Sequence, residues 1–138
     1  MESIEYRYEL IVRESMLDVM GHLNHAAYLT LFEEARWDLC ANQGMTIEFM
    51  QERGIGLVVI EAQIRYRKEV RARERLIIKT RFSDVERKIW KASQTMEKSS
   101  GELCSTIQIK GTVFDLKTRK FISADAEWRS VFLGHKIR

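Results

Sequence analysis

Proline is absent from this 138-residue chain, glycine occurs only 7 times and cysteine twice. With 45% apolar and 31% charged residues and no proline- or glycine-rich tract, the composition excludes a disordered, collagen-like or low-complexity chain. Cys40 and Cys104 stand far apart in unlike segments and match no C-x-x-C or zinc spacing. They read as reduced thiols of a cytoplasmic protein, not as a disulfide framework. Long hydrophobic runs are missing too. The longest, Ile55 to Ile60, is broken by Gly56 and is far too short to span a bilayer, and the acidic start Met1-Glu2-Ser3-Ile4-Glu5 lacks the apolar segment of a secretion signal. Charge of one sign is scarce: 23 Lys plus Arg against 20 Asp plus Glu leaves +3, with the signs interspersed. That balance argues against nucleic acid as a partner, while a local basic patch could still hold a phosphate.

What is present fits one domain, residues 1–138, of a length that hides about two thirds of its extended surface on folding. Ile4, Tyr6, Tyr8, Leu10 and Val12 alternate with charged residues, the period of a half-buried strand. From Asn24 the period changes. Tyr28, Leu31, Phe32, Ala35 and Leu39 follow helical spacing, with Asn24 as N-cap and Gly44 as stop, which predicts a helix of about five turns. Thr46 to Arg53 reads as a short second helix, capped by Thr46 and ended by Gly54.

The rest reads as strands. Val58, Ile60, Ala62, Ile64 and Tyr66 are expected on one face, and Leu57 and Val59 make the first half of that strand apolar on both faces, so deep burial is expected there. Three further alternating runs, Leu76 to Phe82, Trp90 to Met96 and Leu103 to Val113, are separated by turn-like Asp84 to Arg87 and Ser99-Ser100-Gly101-Glu102 and predict an antiparallel meander. A short strand, Lys120 to Ser123, and a closing helix carrying Trp128, Val131 and Phe132 complete the reading. One long helix beside a large antiparallel sheet of five or six strands is an α+β layout, with the sheet wrapped around the helix.

Unusual chemistry concentrates in Asp18-Val19-Met20-Gly21-His22-Leu23-Asn24-His25, between the first strand and the long helix. Gly21 permits a turn, and the helix start offers unpaired N–H donors that could polarise a carbonyl oxygen while a carboxylate from the preceding loop addresses its carbon or a water. Each residue taken singly also has a structural reading: Asp18 as a loop cap, His22 as a ring fixed to backbone, Asn24 as the N-cap. The cluster is what argues for acyl transfer.

The run from Asp18 through His22, Asn24, His25 and Tyr28 to Leu29, continuing as Phe32-Glu33-Glu34-Ala35-Arg36, closely resembles the D-x-x-G-H-[VL]-N-[NH]-x-x-Y-[LI] pattern of hot-dog-fold acyl-CoA thioesterases, both 4-hydroxybenzoyl-CoA thioesterase-like and YbgC-like. Weaker likeness extends over residues 6 to 120. The resemblance implies a sheet curled around the helix, a homodimer or tetramer with active sites at the interface, and hydrolysis of a CoA thioester to acid and CoA. It implies Asp18 as nucleophile or general base and His25 as its catalytic neighbour. Gly21, His22, Asn24 and Tyr28 would surround the substrate, and Arg87 and Lys88 would meet the nucleotide. No cofactor and no metal are expected beyond the coenzyme A of the substrate. The chain departs from the pattern at Met16, where many relatives carry a first Asp, and at Val70, in place of the usual Pro.

Three alternatives belong beside this reading. Acyl carrier protein could supply the thioester, since a mildly basic surface suits an acidic carrier as well as a nucleotide. A non-catalytic acyl-CoA-binding module could use the same fold. Asp18, His22 and His25 could ligate a metal, although His22 precedes the helix and breaks the needed spacing. A second basic group, Arg65, Arg67, Lys68, Arg71 and Arg73, reads as a solvated edge that deters aggregation.

Overall fold

A computed structural model describes residues 4–86, 88–123 and 129–131. The elements are β1 (Tyr6–Ile11), a 3-10 turn (Glu14–Met16), α1 (His25–Asn42), α2 (Ile47–Arg53), β2 (Ile55–Tyr66), β3 (Arg75–Glu86), β4 (Ile89–Lys98), β5 (Leu103–Asp115) and β6 (Lys120–Ile122). All strand pairings are antiparallel, in the order β1-β3-β4-β5-β2, with β6 beside the end of β5. The α+β class and the meander are as the sequence predicts.

The Asn24 carboxamide oxygen accepts from Ala26 N–H at 2.8 Å and so caps α1, a contact of about 1 kcal/mol in similar helices. Tyr28, Leu31, Phe32, Ala35 and Leu39 are all buried, in one core with Leu76 and Ile78 of β3, Trp90, Ala92 and Met96 of β4, and Ile107 and Ile109 of β5. The predicted apolar stripe is thus the face that the sheet wraps. Thr46 caps α2 through Phe49 N–H at 3.1 Å, and Gly54 ends it with a φ of 66°. Residues 129–131 are helical, with Val131 buried; Trp128 and Phe132 lie outside the described residues.

Two expectations need correction. β3 runs on to Glu86, and its pairing with Ile89 leaves a tighter connection than the Asp84 to Arg87 turn. A bulge between Phe82 and Asp84 lets the strand continue through residues whose composition suggests a turn. The first half of β2 is not deeply buried: Leu57 and Val58 are half-buried, while Val59 and Ile60 are 44% and 49% exposed. The reason is topological, since β2 is an edge strand with β5 on one side only. Its register also slips between Val59 and Glu61, so Ile60 is an extra residue and the simple two-face alternation breaks there.

Candidate active site

Backbone hydrogen bonds fix the loop that joins the 3-10 turn to α1. Asp18 N–H donates to His22 O (2.8 Å), and Gly21 N–H donates to Asp18 O (3.1 Å). This tight closure puts Gly21 at a φ of 80°, left-handed geometry that glycine adopts without steric cost. Leu23 N–H donates to Val70 O (2.7 Å) and Asn24 N–H to Met16 O (2.9 Å), so the loop is pinned to the β2–β3 connection and to its own approach. Val70, in the place of the family's proline, is fully buried and serves here through its carbonyl.

Half-buried Asp18 turns one carboxylate oxygen back on this loop: Oδ1 accepts from Met20 N–H at 2.9 Å and from His22 N–H at 3.1 Å. The His22 N–H, then the Met20 N–H, hold the carboxyl below its ordinary range, with His22 and His25 adding a smaller attraction. Asp18 is therefore ionised at neutral pH and held in orientation by one oxygen. The His22 ring faces away from this task, with Nε2 2.9 Å from the Glu69 carboxylate, which Arg71 also contacts at 3.1 Å.

Asp18, His22, His25 and Tyr28 line a cleft of about 330 Å³ together with Tyr66, Arg67, Lys68 and Glu69. Tyr66 O–H donates to the His25 carbonyl (2.9 Å) and Tyr28 O–H to the Lys68 carbonyl (3.2 Å), and the two rings meet edge to face at 5.0 Å. Burial pushes the Tyr28 phenol up to about 12, so it stays neutral. The end of β2 is thereby tied to the first turn of α1. Among the described residues nothing accepts from the His25 N–H, the first donor of α1, which leaves that N–H and the positive end of the helix dipole at the helix start.

Tyr66, Arg67, Lys68 and Glu69 line the cleft without having been expected there from the sequence. Their chemistry was visible, but only the antiparallel placement of β2 against α1 shows which end of the strand meets the helix start. Lys88 lies elsewhere, bordering a cleft of about 430 Å³ with Phe114, Arg119, Lys120 and Phe121. Arg119 stacks its guanidinium on Phe114, 4.9 Å from the ring centre. Arg87 lies outside the described residues. Among those described, no group of three or more His, Cys, Asp or Glu side chains is arranged to hold a metal ion, and no helix is long and apolar enough to cross a membrane.

The model of the thioesterase-like superfamily matches residues 12–132. The long-chain acyl-CoA thioesterase FadM of Escherichia coli is 31% identical over 122 residues, covering 88% of this chain and 92% of FadM. Among solved structures, a 1,4-dihydroxy-2-naphthoyl-CoA thioesterase from Synechocystis superposes with a TM-score of 0.87 at 16% identity, covering 94% of this chain and 96% of that one. A Lactobacillus plantarum structure reaches a TM-score of 0.91 at 18% identity, covering 99% of this chain and 53% of that longer one. The last two share the fold. The fold, the family model and the FadM relative define a thioester hydrolase of the hot-dog type. The chain belongs to the thioesterase-like superfamily, in its hot-dog acyl-CoA thioesterase family.

Proposed function

We propose that the protein hydrolyses acyl-CoA thioesters, with Asp18 as the group that attacks the thioester carbon or deprotonates the attacking water. The observation that carries this is the Asp18 carboxylate, ionised, fixed through Oδ1 by two backbone N–H groups, and placed in one cleft with the start of α1. The thioester carbonyl sits toward the His25 N–H, where the helix start stabilises the developing oxyanion; loss of one such donor costs other enzymes about 2.7 to 4 kcal/mol. The His25 side chain borders the same cleft and contacts the reacting group or its water. A thiol leaves readily at its ordinary pKa of about 8.5, so little acid assistance is needed. The chemistry runs on side chains and backbone dipoles alone.

The nucleotide of CoA lies against the Lys88, Arg119 and Lys120 cluster, whose Phe114 and Phe121 offer ring faces beside the cations. A homodimer brings this cluster to the reacting end, by pairing of the exposed β2 edges. Asp18→Asn keeps the Oδ1 acceptor and removes the charge, so turnover on a panel of long-chain, short-chain and aromatic acyl-CoAs is expected to fall about a hundredfold or more with an unchanged melting temperature. Wild-type turnover in that variant would remove Asp18 from the mechanism. Hydrolysis of carrier-protein thioesters alone would move the substrate class to acyl carrier protein, and binding of acyl-CoA without hydrolysis would make the chain a binding module.

A further inference from the structure

A second cavity, of about 310 Å³, lies between α1 and the sheet at the end remote from Asp18, lined among others by Arg36 and Trp37 of α1, Leu57 and Val58 of β2, Phe82 of β3 and Trp90 of β4. Its volume has room for about ten water-sized groups. Most of the wall is aromatic or aliphatic, and Cys40 adds a thiol that burial pushes up to about 12, hence uncharged. Arg36 is the exception. Its Nη1 donates to Gln94 Oε1 at 2.8 Å, and Gln94 is itself locked, because its Nε2 donates to the Phe32 carbonyl at 3.0 Å and to Thr80 Oγ1 at 2.9 Å.

A guanidinium carries five donor hydrogens and a charge that burial does not remove in proteins, although burial does pull the Arg36 pKa down. Glu33, one turn earlier on α1, lines the same cavity and attracts Arg36 electrostatically, but its side chain is exposed and among the described residues no carboxylate lies within ion-pair distance of the guanidinium. Half-buried beside aromatic walls, with Gln94 as its hydrogen-bond partner and Glu33 attracting it only through solvent, the guanidinium keeps donors for an anion in the cavity, and its planar fork matches a carboxylate.

We propose that this cavity receives the far end of the acyl group and that Arg36 binds a carboxylate carried there, so that the enzyme favours monothioesters of dicarboxylic acids over plain acyl chains of equal length. The proposal rests on the acyl-CoA thioesterase reading and on the paired-edge homodimer proposed with it. Geometry supplies the route. Within one protomer Arg36 lies eleven residues along α1 from His25, about 16 Å at the helical rise and beyond the reach of a six-carbon chain, so the chain enters from the partner's cleft; Leu57 and Val58 lie at the end of β2 opposite Tyr66. Antiparallel pairing of two β2 edges about their middles sets the Leu57 end of one protomer beside the Tyr66 end of the other, so the cavity of one flanks the acyl-transfer cleft of its partner.

The test compares adipoyl-CoA with hexanoyl-CoA in wild type, Arg36→Met and Arg36→Lys, with calorimetric titration of adipate as a readout independent of turnover. The expected result is a wild-type kcat/KM favouring adipoyl-CoA, a loss of about a hundredfold or more on that substrate alone in Arg36→Met, partial recovery in Arg36→Lys, and adipate binding that Arg36→Met abolishes. Equal losses on both substrates with a lowered melting temperature would make Arg36 a structural partner of Gln94 and overturn the proposal. Hexanoyl-CoA preferred by wild type and dependent on Asp18 would overturn it while leaving the thioesterase reading intact. Adipate binding that depends on Arg36, without hydrolysis of any thioester, would do the reverse.

Discussion

At the scale of single residues, the proposed mechanism gives the two oxygens of Asp18 two separate tasks. Oδ1 closes the loop and the other oxygen is left for chemistry, so orientation and low basicity come from the same backbone contacts. The sign of the pH effect follows. The folded carboxyl titrates below the usual Asp value of about 3.9, so its ionised form, and the loop contacts that favour it, are present above that value and are lost only as pH falls through the lower folded value. The acid limb of kcat/KM due to Asp18 is therefore expected below about pH 4, measured with a short thioester. A limb near pH 6 as the first ionisation of the free enzyme would assign the base to another group. At the proposed nucleotide end, Lys88 and Lys120 are solvent-facing cations, and contacts they made with CoA would be alike in ground and transition states. Lys88→Ala with Lys120→Ala is expected to raise KM for acyl-CoA several-fold and leave kcat unchanged. Steady-state kinetics on a thioester lacking the nucleotide provides the control: equal loss there would show the two lysines to be structural.

At the scale of elements, the helices and most strands were legible because each carries its own signals. Asn24 and Thr46 cap where the sequence places caps, Gly54 turns left-handed where a stop is expected, and Trp90, Ala92, Gln94 and Met96 alternate inward along β4 as their spacing requires. What was not legible depends on partners distant in sequence. The edge position of β2 and its slip at Ile60 come from pairing with β5, and the closeness of Tyr66 to His25 comes from how the strand lies against α1. Arg36 likewise reads as an ordinary helical charge until the fold places it beside a cavity. Gly111 is another such case. Added at this position, a Cβ would strike the Trp90 ring and the Val58 carbonyl, so the glycine gives the indole its place between β5 and the cavity wall. Trp90 Nε1–H in turn donates to the Thr112 carbonyl at 3.2 Å. Gly111→Ala is expected to destabilise the fold by about 1 to 3 kcal/mol or more through overpacking. Urea unfolding measures it, and a change under about 0.5 kcal/mol, the range of a neutral surface substitution, would show that the ring moves freely.

At the scale of the whole molecule, one protomer does not gather the parts of the proposed site. Lys88 precedes Ile89, which pairs with Thr112, and Thr112 pairs with Val58, so the basic and aromatic cluster sits at the Val58 end of β2. Asp18 sits at the Tyr66 end with the cleft that Tyr66 lines. Eight residues of strand separate the two ends, about 26 Å at the rise of an extended chain. A two-fold pairing of β2 edges exchanges the ends, and sets the partner subunit's Lys88 toward the Asp18 cleft. The edges ask for such cover. β1 presents charged Arg7 and Glu9, whereas β2 leaves Val59, Ile60 and Tyr66 at 44%, 49% and 47% exposure beside unpaired strand backbone. Ile60 is the most telling position, because as the bulge residue it is exposed in the protomer and a charge there does not disturb the protomer core. Ile60→Lys is expected to convert an assembly of two or more 16.3 kDa chains into a folded monomer that retains its helix content and loses acyl-CoA hydrolysis. Sedimentation velocity together with circular dichroism and the thioesterase assay reads all three. A wild-type chain that sediments as an active monomer at micromolar concentration would place both ends of the substrate on one protomer and overturn the paired-edge arrangement.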